Sequence, residues 1–231
     1  MKKKIIFGVA GALVISLGVL FQIARTAGQK GPDNDVLAIV SQSSGQMIIA
    51  GRFGEHRIAR LNADGTEDAS FSKWTAGGFN GPVLALARAE DDSLWVGGEF
   101  TNFDTALAGH IIRLHADGSL DTDFASKAGT GFDDSVTSLV LQADGKILVG
   151  GRFSSFNGLK AHHLMRLNSD GSVDKTFVGG GIVDLPVNAL LALPGGKVLI
   201  GEILSALPAL KAPIGEYCPA QGRLRLHPLH E

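Results

Sequence analysis

Three features of the 231-residue sequence predict an all-β fold of the β-propeller type: an internal repeat, Asp-Gly turns at fixed places within it, and short apolar segments marked by glycine. SSGQMIIAGRF (Ser43 to Phe53), DDSLWVGGEF (Asp91 to Phe100) and QADGKILVGGRF (Gln142 to Phe153) are copies of one another, and PGGKVLIGEIL (Pro194 to Leu204) is a fourth. Each follows an apolar strand starting at Val36, Val83, Val136 or Val187. The three complete copies are followed by a second hairpin, RLNADGTEDASF, RLHADGSLDTDF and RLNSDGSVDKTF, ending at Phe71, Phe124 and Phe177. Those phenylalanines are 53 residues apart both times.

Each unit reads as strand, tight turn, strand, variable loop, strand, Asp-Gly turn, short strand. Four antiparallel strands in roughly 50 residues make a propeller blade, which buries its apolar face on the next. The expected blades are about 36–81, 82–134, 135–185 and a partial fourth at 186–212, within a repeat region 28–212 that precedes an irregular tail, 213–231. The first unit is six residues shorter than the others, all between Phe53 and Arg60, where its neighbours carry TNFDTALAGHII and SSFNGLKAHHLM.

Gly150-Gly151 has the look of a phosphate loop, but that mechanism needs a helix start behind the glycines. A turn-rich loop follows instead, and Gly51, Gly98 and Gly151 recur before Phe53, Phe100 and Phe153. A recurring strand glycine is expected to permit close backbone approach or a bulge. Arg60, Arg113 and Arg166 recur with Asp68, Asp121 and Asp174. Three-residue Asp-Gly hairpin loops would set each Arg across from its Asp, a pair contributing about 0.2–1 kcal/mol. Asp64, Asp117 and Asp170 read as turn residues.

QADGKILVGGRFSSFNG followed by RLNSDGSVDKTF resembles the delta-60 repeat, a bacterial β-propeller repeat of unknown function found mostly in exported proteins. The resemblance covers about Val36 to Ala212 and implies a propeller, commonly of more blades. It implies no catalytic residues.

No catalytic, cofactor-binding or metal residues are expected. Asp117, Asp121, Asp123, Asp133 and Asp134 crowd together but lack the spacing of a helical calcium loop. His162 and His163 are adjacent, so on a strand they would face opposite ways, and His56, His110, His115 and His162 would have to converge from three blades to hold a metal. Trp95 is expected in the core, and Trp74 packed under an inter-blade loop. The single cysteine, Cys218, excludes an intrachain disulfide.

The 21 basic and 23 acidic residues include Lys2, Lys3, Lys4 and Arg25, so the chain from Gly28 onward has 17 basic against 23 acidic. An acidic surface argues against nucleic acid. The three lysines precede the uncharged apolar run Ile5 to Ile23, with small residues at Ala24, Thr26 and Ala27. Residues 1–27 therefore read as an export signal, cleaved or retained as a membrane anchor, with everything after them outside.

The fourth unit keeps register with the third through Ser205 to Ala212, then loses it. Tyr217-Cys218-Pro219 stands where a strand is due, and GRLRLH (Gly222 to His227) reads as a displaced third strand with no fourth to follow. Glu202 and Leu204 replace the glycine and phenylalanine of Gly151 and Phe153, so this unit is expected to be the frayed one. Three explanations compete for the incomplete set: a fragment of a longer propeller, a ring completed by self-association through exposed blade faces, or a strained four-blade ring.

The function expected is that of an exported, non-catalytic binding or cell-surface structural module. Its ligand, a protein or a glycan, would be held by Thr101 to Ile112 and Ser154 to Met165. A truncated propeller without independent function and a carbohydrate-active enzyme are the alternatives. The apolar first strands VLAIV, VLALA, VTSLV and VNALL speak against the enzyme.

Overall fold

A computed structural model of the chain describes residues 35–75, 77–177, 183–193, 197–203 and 222–228. The signal or anchor segment 1–27 and most of the tail lie outside them. Among the described residues no helix is long and apolar enough to cross a membrane. In chain order the elements are β1 (Val36–Ser41), β2 (Met47–Gly51), β3 (Ile58–Leu61), α1 (Ala69–Trp74), β4 (Val83–Arg88), β5 (Leu94–Gly98), β6 (Asn102–Phe103), β7 (Ala106–Leu107), β8 (Ile111–Leu114) and α2 (Thr122–Ala128). There follow β9 (Val136–Leu141), β10 (Ile147–Gly151), β11 (Ser155–Phe156), β12 (Leu159–Lys160), β13 (Leu164–Leu167), β14 (Val187–Leu193), β15 (Lys197–Ile203) and β16 (Gly222–Pro228).

Four three-stranded antiparallel sheets result: β1-β2-β3, β4-β5-β8, β9-β10-β13 and β14-β15-β16. Their first strands stack in the order β1, β4, β9, β14. The core lies between the sheets. Ile48 and Ala50 of the first meet Val83, Leu94 and Val96 of the second, and Trp95 and Ile111 of the second meet Val136, Ile147 and Val149 of the third. Alternation along β4 delivers buried residues at every second place, as one face of a packed sheet requires.

The expected fourth strand of each blade is not formed. After each Asp-Gly turn the chain makes a single bridge, Leu61 to Glu67, Leu114 to Leu120 and Leu167 to Val173. It then leaves the sheet because the next residue is a capping aspartate. Asp68 accepts from Ser70 N and Asp121 from Phe124 N, and these caps start α1 and α2. Phe71 and Phe124 thus stand on helices. In the third unit Asp174 accepts from Thr176 N and turns the chain, and the described residues 175–177 are not helical.

The Asp-Gly loops have the three-residue form. Asn62 N bonds Thr66 O at 2.8 Å, Gly65 N bonds Asn62 O at 2.9 Å, and Gly65 has φ 86°, which only glycine adopts at no cost.

The glycine pair has two tasks. The second glycine lies opposite a bulge in the first strand: Val136 pairs with Gly151 while Ser138 pairs with Gly150, leaving Thr137 extra. The bulge brings the Ser135 carbonyl over the chain, where it accepts from Arg152 N at 2.9 Å. A Cβ on Gly151 would lie 2.2 Å from that oxygen, and one on Gly98 would lie 2.2 Å from Pro82 O. The first glycine faces the neighbouring sheet, since a Cβ on Gly97 or Gly150 would meet Val136 or Val187 of the next unit at 2.5 or 2.6 Å.

The fourth sheet pairs along its length where fraying was expected. β14 pairs with β15 through the same bulge, between Val187 and Ala189, and Gly222–Pro228 covers the outer edge of β15. That covered edge is the physical difference, because a two-stranded hairpin alone is marginal in water. Glu202, at the place of Gly151, is buried.

The two kinds of glycine contact lead to a paired expectation. Gly151→Val should lower stability by about 1–3 kcal/mol, because backbone cannot yield to the new side chain. Gly201→Ala should cost much less, its nearest neighbour being Ala189 Cβ at an ordinary 3.4 Å. Urea unfolding followed by tryptophan fluorescence compares them, and equal losses would refute the close-approach account.

Candidate functional site

The recurring polar residues gather at the Asp-Gly turn end of each sheet. Arg60 Nε lies 3.0 Å from Asp68 Oδ2, and Arg166 Nε lies 2.7 Å from Asp174 Oδ2. Arg113 is looser on Asp121, at 3.6 Å, because Ser93 Oγ and Asp91 Oδ2 also accept from it, at 2.9 and 3.2 Å. The residue before each second strand joins the group: Gln46 donates to Asp68 at 2.7 Å, and Lys146 lies 3.2 Å from Asp174.

What the sequence did not reveal is that the arginines reach the next unit. Arg60 Nη1 donates to Ala116 O at 2.8 Å, and Arg113 Nη1 donates to Ser169 O at 3.1 Å. Both oxygens immediately precede the Asp-Gly of the following turn. The phenylalanine closes the grip from the other side, for a Cβ on Gly118 would lie 2.9 Å from the Phe71 ring and one on Gly171 2.5 Å from that of Phe124. Arg60 Cζ stands 4.9 Å over Phe71, and Arg166 Cζ stands 5.0 Å over Phe177. The equal spacing of Arg, Asp and Phe in each unit was the available signal; its direction across units was not readable.

At the opposite end of the sheets, the linking segments lock onto the variable loops. Asn80 Oδ1 accepts from Thr101 N and Asn102 N, both at 2.9 Å. Asp133 does the same for Ser154 N at 2.8 Å and Ser155 N at 2.9 Å, and takes Ser154 Oγ at 2.6 Å. Behind these bonds sit two aromatic groups, Phe79 with Phe100 and Phe103, and Phe132 with Phe153 and Phe156. Phe53 stacks on no aromatic ring among the described residues and is only partly buried.

Three of the five carboxylates considered for calcium are employed singly. Asp117 holds Ser119 N at 2.9 Å within its turn, Asp121 caps α2, and Asp133 fastens the loop. Among the described residues no three His, Cys, Asp or Glu side chains come together as metal ligands.

His162 and His163 correct the strand expectation. Both have positive φ, 43° and 65°, and precede β13 in a loop bent to bring Gly151 N onto His163 O. His110 repeats that backbone with φ 67° and places Nδ1 3.2 Å from Gly98 O. Trp95 is buried, its ring edge-on to Phe124 at 5.0 Å. Trp74, expected under a loop, is 48% exposed at the end of α1, because the helix turns it outward.

Hydrogen bonding depresses several carboxyl pKa values. Ser70, through its hydroxyl first and then its backbone N–H, holds Asp68 at about 2 with help from Gln46 and Arg60 and against burial. For Asp133 burial is the largest single influence and raises the value, but the bonds from Ser154 and Ser155 together outweigh it and bring it to about 2.

With this geometry in view, the comparisons with known proteins bear on class. Residues 42–71, 89–124 and 142–177 match the model of a domain of unknown function (DUF5122), a beta-propeller. The chain is thus an all-β, β-propeller-like repeat protein, similar to that family in three stretches.

Among solved structures it is similar to the extracellular domain of a one-component system of B. thetaiotaomicron, at 14% identity and TM-score 0.47, over 78% of this chain and 21% of that one. It is also similar to the extracellular domain of a hybrid two-component system from the same organism, at 11% identity and TM-score 0.31, over 74% of this chain and 31% of that one. The chain therefore spans about a fifth and a third of those chains. No curated protein matches it.

The depressed carboxyl values set an acid limit. A group with folded pKa near 2 and unfolded pKa near 3.8 contributes stability that is complete above about pH 4 and lost as pH falls toward 2. The melting temperature should drop over that window. Asp133→Asn should lose that contribution at pH 7, only in part made good because an amide oxygen can still accept from both backbone N–H groups as Asn80 does, and should flatten the acid loss. A melting curve series from pH 6 to pH 2 showing an unchanged acid slope in the variant would contradict this.

Proposed function

We propose that this is an exported, non-catalytic β-propeller-repeat protein serving as a binding or cell-surface structural module, with a protein or glycan ligand taken by the loops Thr101 to Ile112 and Ser154 to Met165. The observation that carries the reading is a division of labour. The recurring Arg and Asp side chains are hydrogen-bonded within the scaffold, while sequence variation falls on two hairpins absent from the first unit. There β6-β7 and β11-β12 project Leu107 and Leu159, each 54% exposed. Exposed apolar side chains on a rigidly fastened hairpin suit contact with another molecule.

The hairpins are well held from below. Asn157-Gly158 makes the two-residue turn of β11-β12, with φ 47° and 77°, and Asn157 N bonds Gly131 O at 2.7 Å. Loops fastened in this way lose little freedom on binding, which favours affinity.

Export rests on the sequence from Lys2 to Ile23 alone. On that reading the protein recovered outside the cytoplasm begins near Ala27 or Gly28 if the segment is cleaved, whereas an anchored chain keeps its first residues and sediments with membrane. N-terminal sequencing distinguishes the two, and full-length protein dissolved in the cytoplasm would defeat both.

The binding reading is tested by screening the exported chain on glycan and protein arrays beside the double variant Leu107→Ser, Leu159→Ser. Both side chains are exposed, so the fold should be unchanged. Capture of a ligand that falls at least about tenfold in the variant is expected. An empty array, or equal capture by both proteins, would overturn it.

A further inference from the structure

Asparagine is followed by glycine twice in the sequence, at Asn80-Gly81 and at Asn157-Gly158. This dipeptide carries a chemistry of its own, because a glycine nitrogen with no Cβ beside it can reach the carbonyl carbon of the preceding asparagine side chain. Asparagine is a thermolabile residue for such reasons. In a folded chain the outcome depends on what holds the two groups, and the structure holds the two pairs differently.

The Asn80 amide is bonded at both ends. Oδ1 accepts from Thr101 N and Asn102 N at 2.9 Å, and Nδ2 donates to Thr101 Oγ1 at 2.9 Å and to Asn102 Oδ1 at 3.4 Å. Gly81 behind it is buried, and a Cβ there would lie 2.8 Å from Phe100 Cα, so the backbone has no room to swing. Turning the Asn80 side chain onto Gly81 N would break all four bonds at once.

Asn157 has none of this restraint on its amide. The side chain keeps a single contact, Thr130 Oγ1 donating to Oδ1 at 3.2 Å. Gly158 is exposed, its N–H donates to nothing among the described residues, and a Cβ on it would meet nothing within 4 Å. The turn it forms joins strands of two residues each, paired only as Ser155 with Lys160 and Phe156 with Leu159. Opening so short a turn leaves the three-stranded sheet untouched.

We propose that Asn157 is a site of spontaneous deamidation, a covalent modification of the hairpin β11-β12 from which Asn80 is protected. Gly158 N loses its proton to solvent base and bonds to Asn157 Cγ; the Cγ–Nδ2 bond breaks and Nδ2 leaves as ammonia. Water then opens the cyclic imide at either carbonyl, so that amide and water become carboxylate and ammonium with no change of oxidation state. Opened on one side the product is aspartate, which the fold accepts: Asp104 stands at the same place in the preceding hairpin, with φ 50° against 47° and its N on Gly78 O as Asn157 N is on Gly131 O. Opened on the other side it is isoaspartate, which routes the chain through the side-chain carbon and adds a methylene to the turn between Phe156 and Leu159. Both products place a negative charge two residues from the exposed Leu159. The chemistry needs only water, so it stands or falls separately from any ligand of the hairpins.

The full chain in detergent is incubated in mildly alkaline buffer, sampled over time and cut with trypsin, which releases Phe153 to Lys160 and Trp74 to Arg88 as separate fragments. Mass spectrometry follows amide to acid in each, and electron-transfer fragmentation distinguishes isoaspartate from aspartate. The same chain unfolded in urea is the reference. In the folded chain Asn157 should convert at least about tenfold faster than Asn80, since the Asn80 amide must first be released from its bonds, and in urea the two rates should come within about threefold of each other. Equal rates in the folded chain would overturn the proposal, as would an Asn157 that stays intact while the unfolded chain converts. A tenfold preference that persists in urea would also overturn it, by tracing the difference to sequence instead of structure.

Discussion

The stack depends on an arginine that serves two units at once. Arg60 is held in its own sheet by Asp68 and directs Nη1 to a carbonyl of the next. A buried guanidinium without partners would cost several kcal/mol, so the aspartate is what makes its position tolerable. The carbonyl it reaches is in turn presented by a turn whose last loop residue has positive φ, which glycine adopts without strain. Arg, Asp, Gly and Phe are therefore one device written across two repeats, and changing any of them leaves the others poorly satisfied.

A second constraint acts at the far end of the sheets. There the linking segment is bonded to the loop of the unit it has left, Phe79 N to His56 O and Phe132 N to Gly109 O, and to the hairpin of the unit it enters. With one fastening at each end, neighbouring sheets cannot rotate freely about the apolar layer between them. The glycines at 97 and 150 then allow the sheets to approach until a valine of the next unit occupies the space of the missing side chain. Close packing follows from the two fastenings; apolar contact alone would tolerate sliding.

Much of this was legible from periodicity. The sheets, the Asp-Gly loops, the burial of Trp95 and the need for glycine opposite the first strand follow from patterns that sequence displays directly, because they depend on residues close in the chain. The missing fourth strands were not legible. DASF and DTDF read equally as strand or as capped helix, and the choice falls to helix through a side-chain bond from the aspartate. The reach of Arg60 to a residue 56 positions away was hidden for a different reason: an arginine side chain can satisfy its Nε locally and its Nη1 remotely, and spacing alone reports only the local half. Trp74 misled because its linker became a helix that turned it outward.

The fourth sheet shows how far such a repeat can decay and still be built. It keeps the bulged first hairpin and, through β16, a third strand, and it is attached to the third sheet by Leu190 N on Ser138 Oγ at 2.9 Å as well as by the apolar cluster around Val187 and Ile200. It has no counterpart to Arg166, since Leu226 stands at that place in the register. Apolar contact and a few strand-to-strand bonds are enough to add a sheet at this end. The arginine grip is a separate layer of contact, made between the first and second units by Arg60 on Ala116 and between the second and third by Arg113 on Ser169.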